Sequence, residues 1–478
     1  MEYGWSLKIR TLNLRDLAIF LIPSAIFFSY LYIYAPGIMV FDSYNQLHQI
    51  ATGQFNNWHP FFHTFIEMMC LKVYRSPASV AVLQILTFSA FWTVICKYNR
   101  DDSAHDRTFI VQVLITLVIS LIPINAVFAI NLQKDILFSY FVMFLCFLME
   151  VLVDRKGDVG YGFAAVVCVV MAFIAQLRQN GMILIIAFLV ILAIWLYFKN
   201  RERKLYLIIP AATVAIILLI GCLNIAYDVE DVQNDALCDI VGHMLAEYSV
   251  NLEIEPADNA KLKGLLREKN RDKEYNVIFK DPTRKHIINK NAWEKDKPAY
   301  VWMAVKYSLK HPKHFANYLL KSAPIVWDVT RESDWAEANG IAYTTAMNSQ
   351  RDGFYQKRNT TPITDFDNAS AANEGTATYE ALDGLVNLAR DNTILDTLFN
   401  SPALYMYASL VLLLVLYLLT RVRDLWLVYL ANLLNIAIVF VSIPAQLNRY
   451  LYPNLLVFYL LVIILVGVLM ERKVSPRR

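Results

Sequence analysis

Ten runs of apolar residues, each close to the length of a membrane-crossing helix, constrain this chain more than any other feature. They fall at about 17–35, 78–96, 108–128, 136–153, 160–177, 181–198, 205–224, 402–420, 425–443 and 451–470. A helix needs about 20 apolar residues to cross the hydrocarbon core, where backbone polar groups have no water to bond. The chain is 57% hydrophobic over 478 residues and reads as an all-α polytopic membrane protein. Basic residues precede the first run and no small-residue cleavage site follows it, so that run is expected to remain as a span. The six cysteines lie mostly in apolar segments and form neither a disulfide framework nor a CxxC zinc pattern. No P-loop, GxGxxG turn or internal repeat is present, and no nucleic-acid partner is expected.

Charge assigns the sides. With a cytoplasmic N-terminus, the cytoplasmic segments hold 18 Lys and Arg. The short outer segments hold 5: Lys72, Arg75, Lys134, Arg178 and Arg449. This asymmetry follows the positive-inside rule. Residues 60–76 could be an eleventh span only by reversing every later loop. They also contain His63, Glu67 and Lys72, and a central charge costs roughly 2.5–3.5 kcal/mol on insertion scales. A re-entrant or interfacial helix on the outer face is expected there. Three parts follow. Residues 1–224 form a membrane bundle with re-entrant or juxtamembrane helices at about 42–76. Residues 225–401, with 21 Lys and Arg against 27 Asp and Glu, form a mainly helical extracytoplasmic domain. Residues 402–478 form the last three spans, and both chain ends are cytoplasmic.

This topology puts several chemistry-bearing residues at the outer ends of spans. The first outer segment, Pro36 to His63, holds Asp42, His48, His59 and His63. Asp42 could take a proton from an attacking hydroxyl, or begin the helix that DSYNQLHQI suggests. Asp135 in NLQKD could assist it, or only favour a helix N-terminus, with Lys134 beside it as an anchor. His59 and His63 in WHPFFH are four apart. On a helix they share a face, where they could contact a phosphate or sugar, bind a metal with Glu67 as a weak third ligand, or pack. Arg178 with Asn180 (LRQNG) and Arg449 with Tyr450 (NRYLYP) read either as interfacial anchors or as a clamp on a lipid phosphate.

In that order, PG-x4-D-S, W-H-P, KDILF, R-x-N-G and RYLYP resemble the C-type (GT-C fold) glycosyltransferases, nearest an uncharacterised bacterial branch. The likeness covers nearly the whole membrane part and, weakly, the outer domain. It implies a GT-C-like bundle of about ten transmembrane helices in a bacterial cytoplasmic membrane. It also implies a sugar donor carried on a polyprenyl phosphate, with transfer on the extracytoplasmic face. The acceptor would be a hydroxyl of a cell-envelope glycan, teichoic acid, lipid or protein. Asp42 would be the general base, and Asp135 would orient the acceptor or a divalent cation such as Mg or Mn. Family members with a paired acid at either place differ from the Asp-Ser and Lys-Asp found here. Lys134, His59, His63, Arg178, Asn180, Arg449 and Tyr450 are the candidates for holding the donor phosphate or sugar. Direct displacement at the anomeric carbon inverts its configuration. A lipid-linked glycan polymerase or ligase, a lipid-linked sugar flippase and a non-catalytic membrane partner are the competing readings.

Overall fold

The computed structural model describes residues 13–100, 105–232, 236–267, 271, 273–330, 347–442 and 446–474. Lys8, Arg10, Arg477 and Arg478, and the start of the loop-rich stretch expected from Arg331, lie outside these residues. Among the described residues the secondary structure is helical, apart from three isolated β-bridges.

Among the described residues, eight helices are long and apolar enough to cross a membrane. They are Leu14–Ile33, Ala78–Tyr98, Lys134–Asp154, Gln179–Lys199, Leu205–Ala226, Pro402–Thr420, Arg423–Ser442 and Asn448–Met470. Two expected spans depart from that form. The run at 108–128 breaks into Arg107–Leu121 and Pro123–Ala129, bent by 73°. Pro123 has no N–H to donate, and its ring disfavours helical geometry in the residue before it. Ile122 is accordingly extended, at φ −67° and ψ 118°. The run at 160–177 is a helix of 17 residues, Tyr161–Leu177, which stops at an extended Arg178. The ten expected spans are therefore eight by length and composition, or nine with the bent pair counted as one. Phe61–Val73 has 13 residues. At 1.5 Å per residue it is about 20 Å long, short of the roughly 30 Å hydrocarbon core.

Contacts gather the chain into two compact units: Met1–Val232 with Ala342–Asn435 and Arg449–Arg478, and Gln233–Ile341 with Ile436–Asn448. The second part of the polar insert thus clusters with the membrane helices. In the first unit Lys134–Asp154 is the hub. It packs against Ala78–Tyr98, Tyr161–Leu177 and the last helix. It is buried on nearly every side, which is why it is apolar all round. The second unit has its own core, built around Tyr248, Leu265, Trp293 and Tyr307. His243 is fixed there between the Tyr318 hydroxyl at 2.8 Å and the Asn276 carbonyl at 3.0 Å.

One crossing of the backbone assembles the site in the first unit. The Ile38 N–H donates to the Ile130 carbonyl at 2.9 Å, and the Leu132 N–H donates back to Ile38 at 3.0 Å. Gly37 permits this approach: it has φ 112°, and a Cβ there would lie 2.8 Å from Leu132 Cδ1 and 3.0 Å from the Ile130 carbonyl. The Ser43 hydroxyl donates to the Leu132 carbonyl at 2.5 Å. From the Ala78–Tyr98 helix, buried Gln84 donates to the carbonyls of Ala129 and Asn131. The start of the Phe41–Thr52 helix is thereby held beside the start of Lys134–Asp154.

Candidate functional site

Three helix N-termini and one junction between helices meet at one end of the spans. Asp42 is the second residue of the Phe41–Thr52 helix, whose N-cap is Val40; the aspartate sits in the first turn without capping it. Lys134 and Asp135 open the Lys134–Asp154 helix. Arg449 and Tyr450 lie in the 3-10 turn Asn448–Leu451 before the last helix. Arg178 is the single residue between two helices. Both carboxylates therefore lie at helix N-termini, where partial positive charge favours an anion.

The ion pairs form one connected cluster. Arg449 Nη2 donates to Asp42 Oδ2 at 3.2 Å, and its Nε lies 3.6 Å from Asp135 Oδ2. Arg178 Nε lies 3.2 Å from Asp135 Oδ1. Lys134 Nζ stands 4.0 Å from Asp42 Oδ2 and donates to His59 Nδ1 at 3.1 Å. An imidazole that accepts at Nδ1 carries its proton on Nε2. That Nε2 faces Asp42 Oδ1 across 3.8 Å, too far for a hydrogen bond. The Tyr450 ring lies near two guanidinium groups, 4.6 Å from Arg178 Cζ and 5.3 Å from Arg449 Cζ. The Tyr450 carbonyl accepts from Arg178 at 3.4 Å and from Asn435 at 3.2 Å.

Exposure separates the two acids. The Asp42 side chain is 26% exposed and the Asp135 side chain 1%. Asp42 is partly open to solvent, whereas Asp135 is enclosed beside Arg178 and Arg449. Burial alone would raise the Asp42 carboxyl, but His59, Arg449 and Lys134 overturn that and hold it below the usual carboxylate range. Burial, and then Lys134, pushes the His59 imidazole down to about 3 against the opposing pull of Asp42. His59 is therefore neutral near pH 7, and the full charges facing Asp42 are those of Arg449 and Lys134. Three cations stand against two carboxylates, so the cluster has one positive charge in excess.

Asn180 stands half-buried in the first turn of Gln179–Lys199, while the ion pair to Asp135 comes from Arg178. His59 and His63 do not share a helix face. Pro60 is the N-cap of Phe61–Val73, at φ −52° and ψ 120°, so His59 precedes the helix. His63 turns into a second, buried polar network. Its Nδ1 lies 3.1 Å from Gln46 Nε2 and 3.5 Å from Glu67 Oε1, and Gln46 also donates to Thr64 at 2.9 Å. Among the described residues no group of three or more His, Cys, Asp or Glu side chains is placed to hold a metal. Between Asp42 and Asp135, Arg449 takes the bridging position that a divalent cation would need. The donor set therefore does not fit a Mg or Mn ion.

The second network has a testable signature. Glu67 is fully buried, and burial raises its carboxyl well above its usual range against the opposing charge of Lys134. The folded chain thus keeps a proton that the unfolded chain releases above about pH 4.3. Stability from this group is complete below that pH and is lost as pH rises. A neutral amide of the same shape escapes the penalty. Glu67→Gln is expected to melt about 3–6 °C above wild type at pH 8 and level with it at pH 4. Equal melting at both values would contradict the buried-acid account.

The supporting residues were hard to read in advance. Ser43, Gln84 and Asn435 are ordinary polar residues in sequence, and only the backbone crossing at Ile38 explains the first two. The Gly37 in PG-x4-D-S was the one local signal of that crossing. No family model matches the chain, and no curated protein or solved structure is similar to it at a significant level.

Proposed function

We propose that this chain is an integral membrane glycosyltransferase of the C type. It would move a sugar from a polyprenyl phosphate to a hydroxyl acceptor on the extracytoplasmic side of a bacterial cytoplasmic membrane. The observation that carries this reading is the partly exposed Asp42 carboxylate, set against a buried cluster with excess positive charge at the ends of spans.

An anion is the natural partner of that excess. Arg178, Arg449 and Lys134 suit a phosphate, because guanidinium groups can bind it with paired hydrogen bonds. The phosphate of a lipid donor would draw Arg449 and Lys134 towards itself. Asp42, then less compensated, would gain proton affinity when a base is needed. The acceptor oxygen attacks the anomeric carbon, and Asp42 takes the hydroxyl proton. The bond from that carbon to the phosphate oxygen breaks, and lipid phosphate leaves with the electron pair. The cations stabilise the leaving charge, and configuration inverts.

Two further observations support a lipid donor. An apolar groove of about 650 Å³ lies between Ala78–Tyr98, Lys134–Asp154 and Tyr161–Leu177, lined by Phe91, Phe141, Phe144, Ala165 and Val169 among others. Two of those helices end in Lys134 and next to Arg178. Phe141 lies about 10 Å along its helix from Lys134, the depth at which the tail of a lipid bound by its phosphate would run. At the other end of the spans, Lys97, Arg100, Lys199 and Arg203 accompany Asp16, Asp158 and Asp424. That basic end agrees with a cytoplasmic location, and hence with the Asp42 cluster lying outside.

The test is transfer by purified protein in detergent from a panel of polyprenyl-phosphate sugars to added acceptors. One donor is expected to release lipid phosphate and yield an inverted glycoside. Failure with every donor, joined to transbilayer movement of the same lipids in sealed vesicles, would replace this reading with transport.

A further inference from the structure

His48 belongs to the first outer segment, yet it stands apart from the charge cluster. It lies six residues after Asp42 on the same helix, so it points to a different side of it. There it meets a segment far away in sequence. His48 Nδ1 lies 3.2 Å from Asp367 Oδ2. Asp367 is completely buried and also receives the Tyr355 hydroxyl and, at 2.9 Å, the Ile363 N–H. The Tyr44 hydroxyl donates to the Ala369 carbonyl at 2.9 Å. Phe354 packs its ring against Phe41 at 5.1 Å and against His48 at 6.0 Å.

The Phe41–Thr52 helix is therefore fixed at two places. Ser43 and Asp42 fasten its start to Leu132 and Arg449. The strap from Met347 to Ala369 fastens its middle, with Asp367 and Phe354 as its fully buried contacts. A buried carboxylate facing an imidazole and two further donors is costly to move, because each lost partner leaves a charged group unsatisfied. The roll of the helix, and with it the direction of the Asp42 carboxylate, is set from both sides.

We propose that Asp367 is a positioning residue for Asp42, acting through His48 and lying outside the reaction cleft. This rests on the transferase reading above. A misplacement of about 1 Å at a reacting group costs up to about 100-fold in rate, while the donor phosphate is held by Arg178, Arg449 and Lys134, which the strap does not carry. Asp367→Asn is expected to lower kcat about 10- to 100-fold with the donor KM within about twofold of wild type. His48→Gln, which leaves Asp367 its other two donors, is expected to show the same split more weakly. The double variant should be no worse than Asp367→Asn alone, because both changes break one contact.

A second reading does not depend on activity. Hydrogen exchange of the Phe41–Thr52 amides in the full chain is expected to speed up in both single variants. Unchanged exchange, or faster exchange with wild-type kcat, would overturn the proposal. So would a rise in KM equal to the fall in kcat. If wild type transfers no sugar at all, the transferase reading falls by itself, and the exchange measurement alone decides whether the His48–Asp367 contact fixes the helix.

Discussion

Replacing Asp42 with Asn is expected to lower sugar transfer by about 10²- to 10⁴-fold while the protein folds and still binds its donor. Three features make the effect large and local. Asp42 is the more exposed acid of the cluster, 26% against 1% for Asp135, so in the proposed reaction it is the one an acceptor hydroxyl would reach. It holds Arg449 through one oxygen and turns the other towards His59 at 3.8 Å, which leaves a side for the incoming proton. The amide keeps the shape and accepts a hydrogen bond but cannot take that proton. Removing one negative charge also enlarges the positive excess, so donor phosphate is expected to bind at least as tightly as in wild type. Weaker donor binding together with lost transfer would place Asp42 in substrate binding.

Asp135→Ala is expected to behave in the opposite way, failing in stability first. Asp135 is almost wholly buried and faces Arg178 at 3.2 Å and Arg449 at 3.6 Å. Without it, two guanidinium groups lose their buried counter-charge. Breaking such a pair from one side costs about 3–5 kcal/mol. Thermal unfolding in detergent should therefore begin several degrees lower for Asp135→Ala, and Asp42→Asn should unfold close to wild type. Equal destabilisation by the two changes would mean that exposure does not separate their roles.

The sequence carried the membrane class because each span needs a long apolar run, and such runs survive any detail of packing. Counting spans also assigned Asp42 and Arg449 to one side, and in the structure their side chains meet although 407 residues separate them. Pairwise geometry was not legible. Sidedness cannot show that Arg449 bridges both acids, or that Arg178 pairs with Asp135. The bend at Ile122 had a visible cause in Pro123, yet the apolar run around it continues and conceals the break. His59 and His63 looked like a pair because four residues separate them. Pro60 ends that logic by starting the helix after His59. Asp367 had no local signal: it is one of many acids in a polar insert, and its role depends on a fold-back onto His48.

One measurement tests the central claim most directly. Donor binding and single-turnover transfer are followed on the same samples of wild type and Asp42→Asn, with a polyprenyl-phosphate sugar labelled in the sugar. The account predicts equal or tighter binding by Asp42→Asn, with the label remaining on the lipid, while wild type passes it to the acceptor. Wild-type transfer by Asp42→Asn would contradict the assignment of Asp42 as the base, and with it the proposed reading of the cluster.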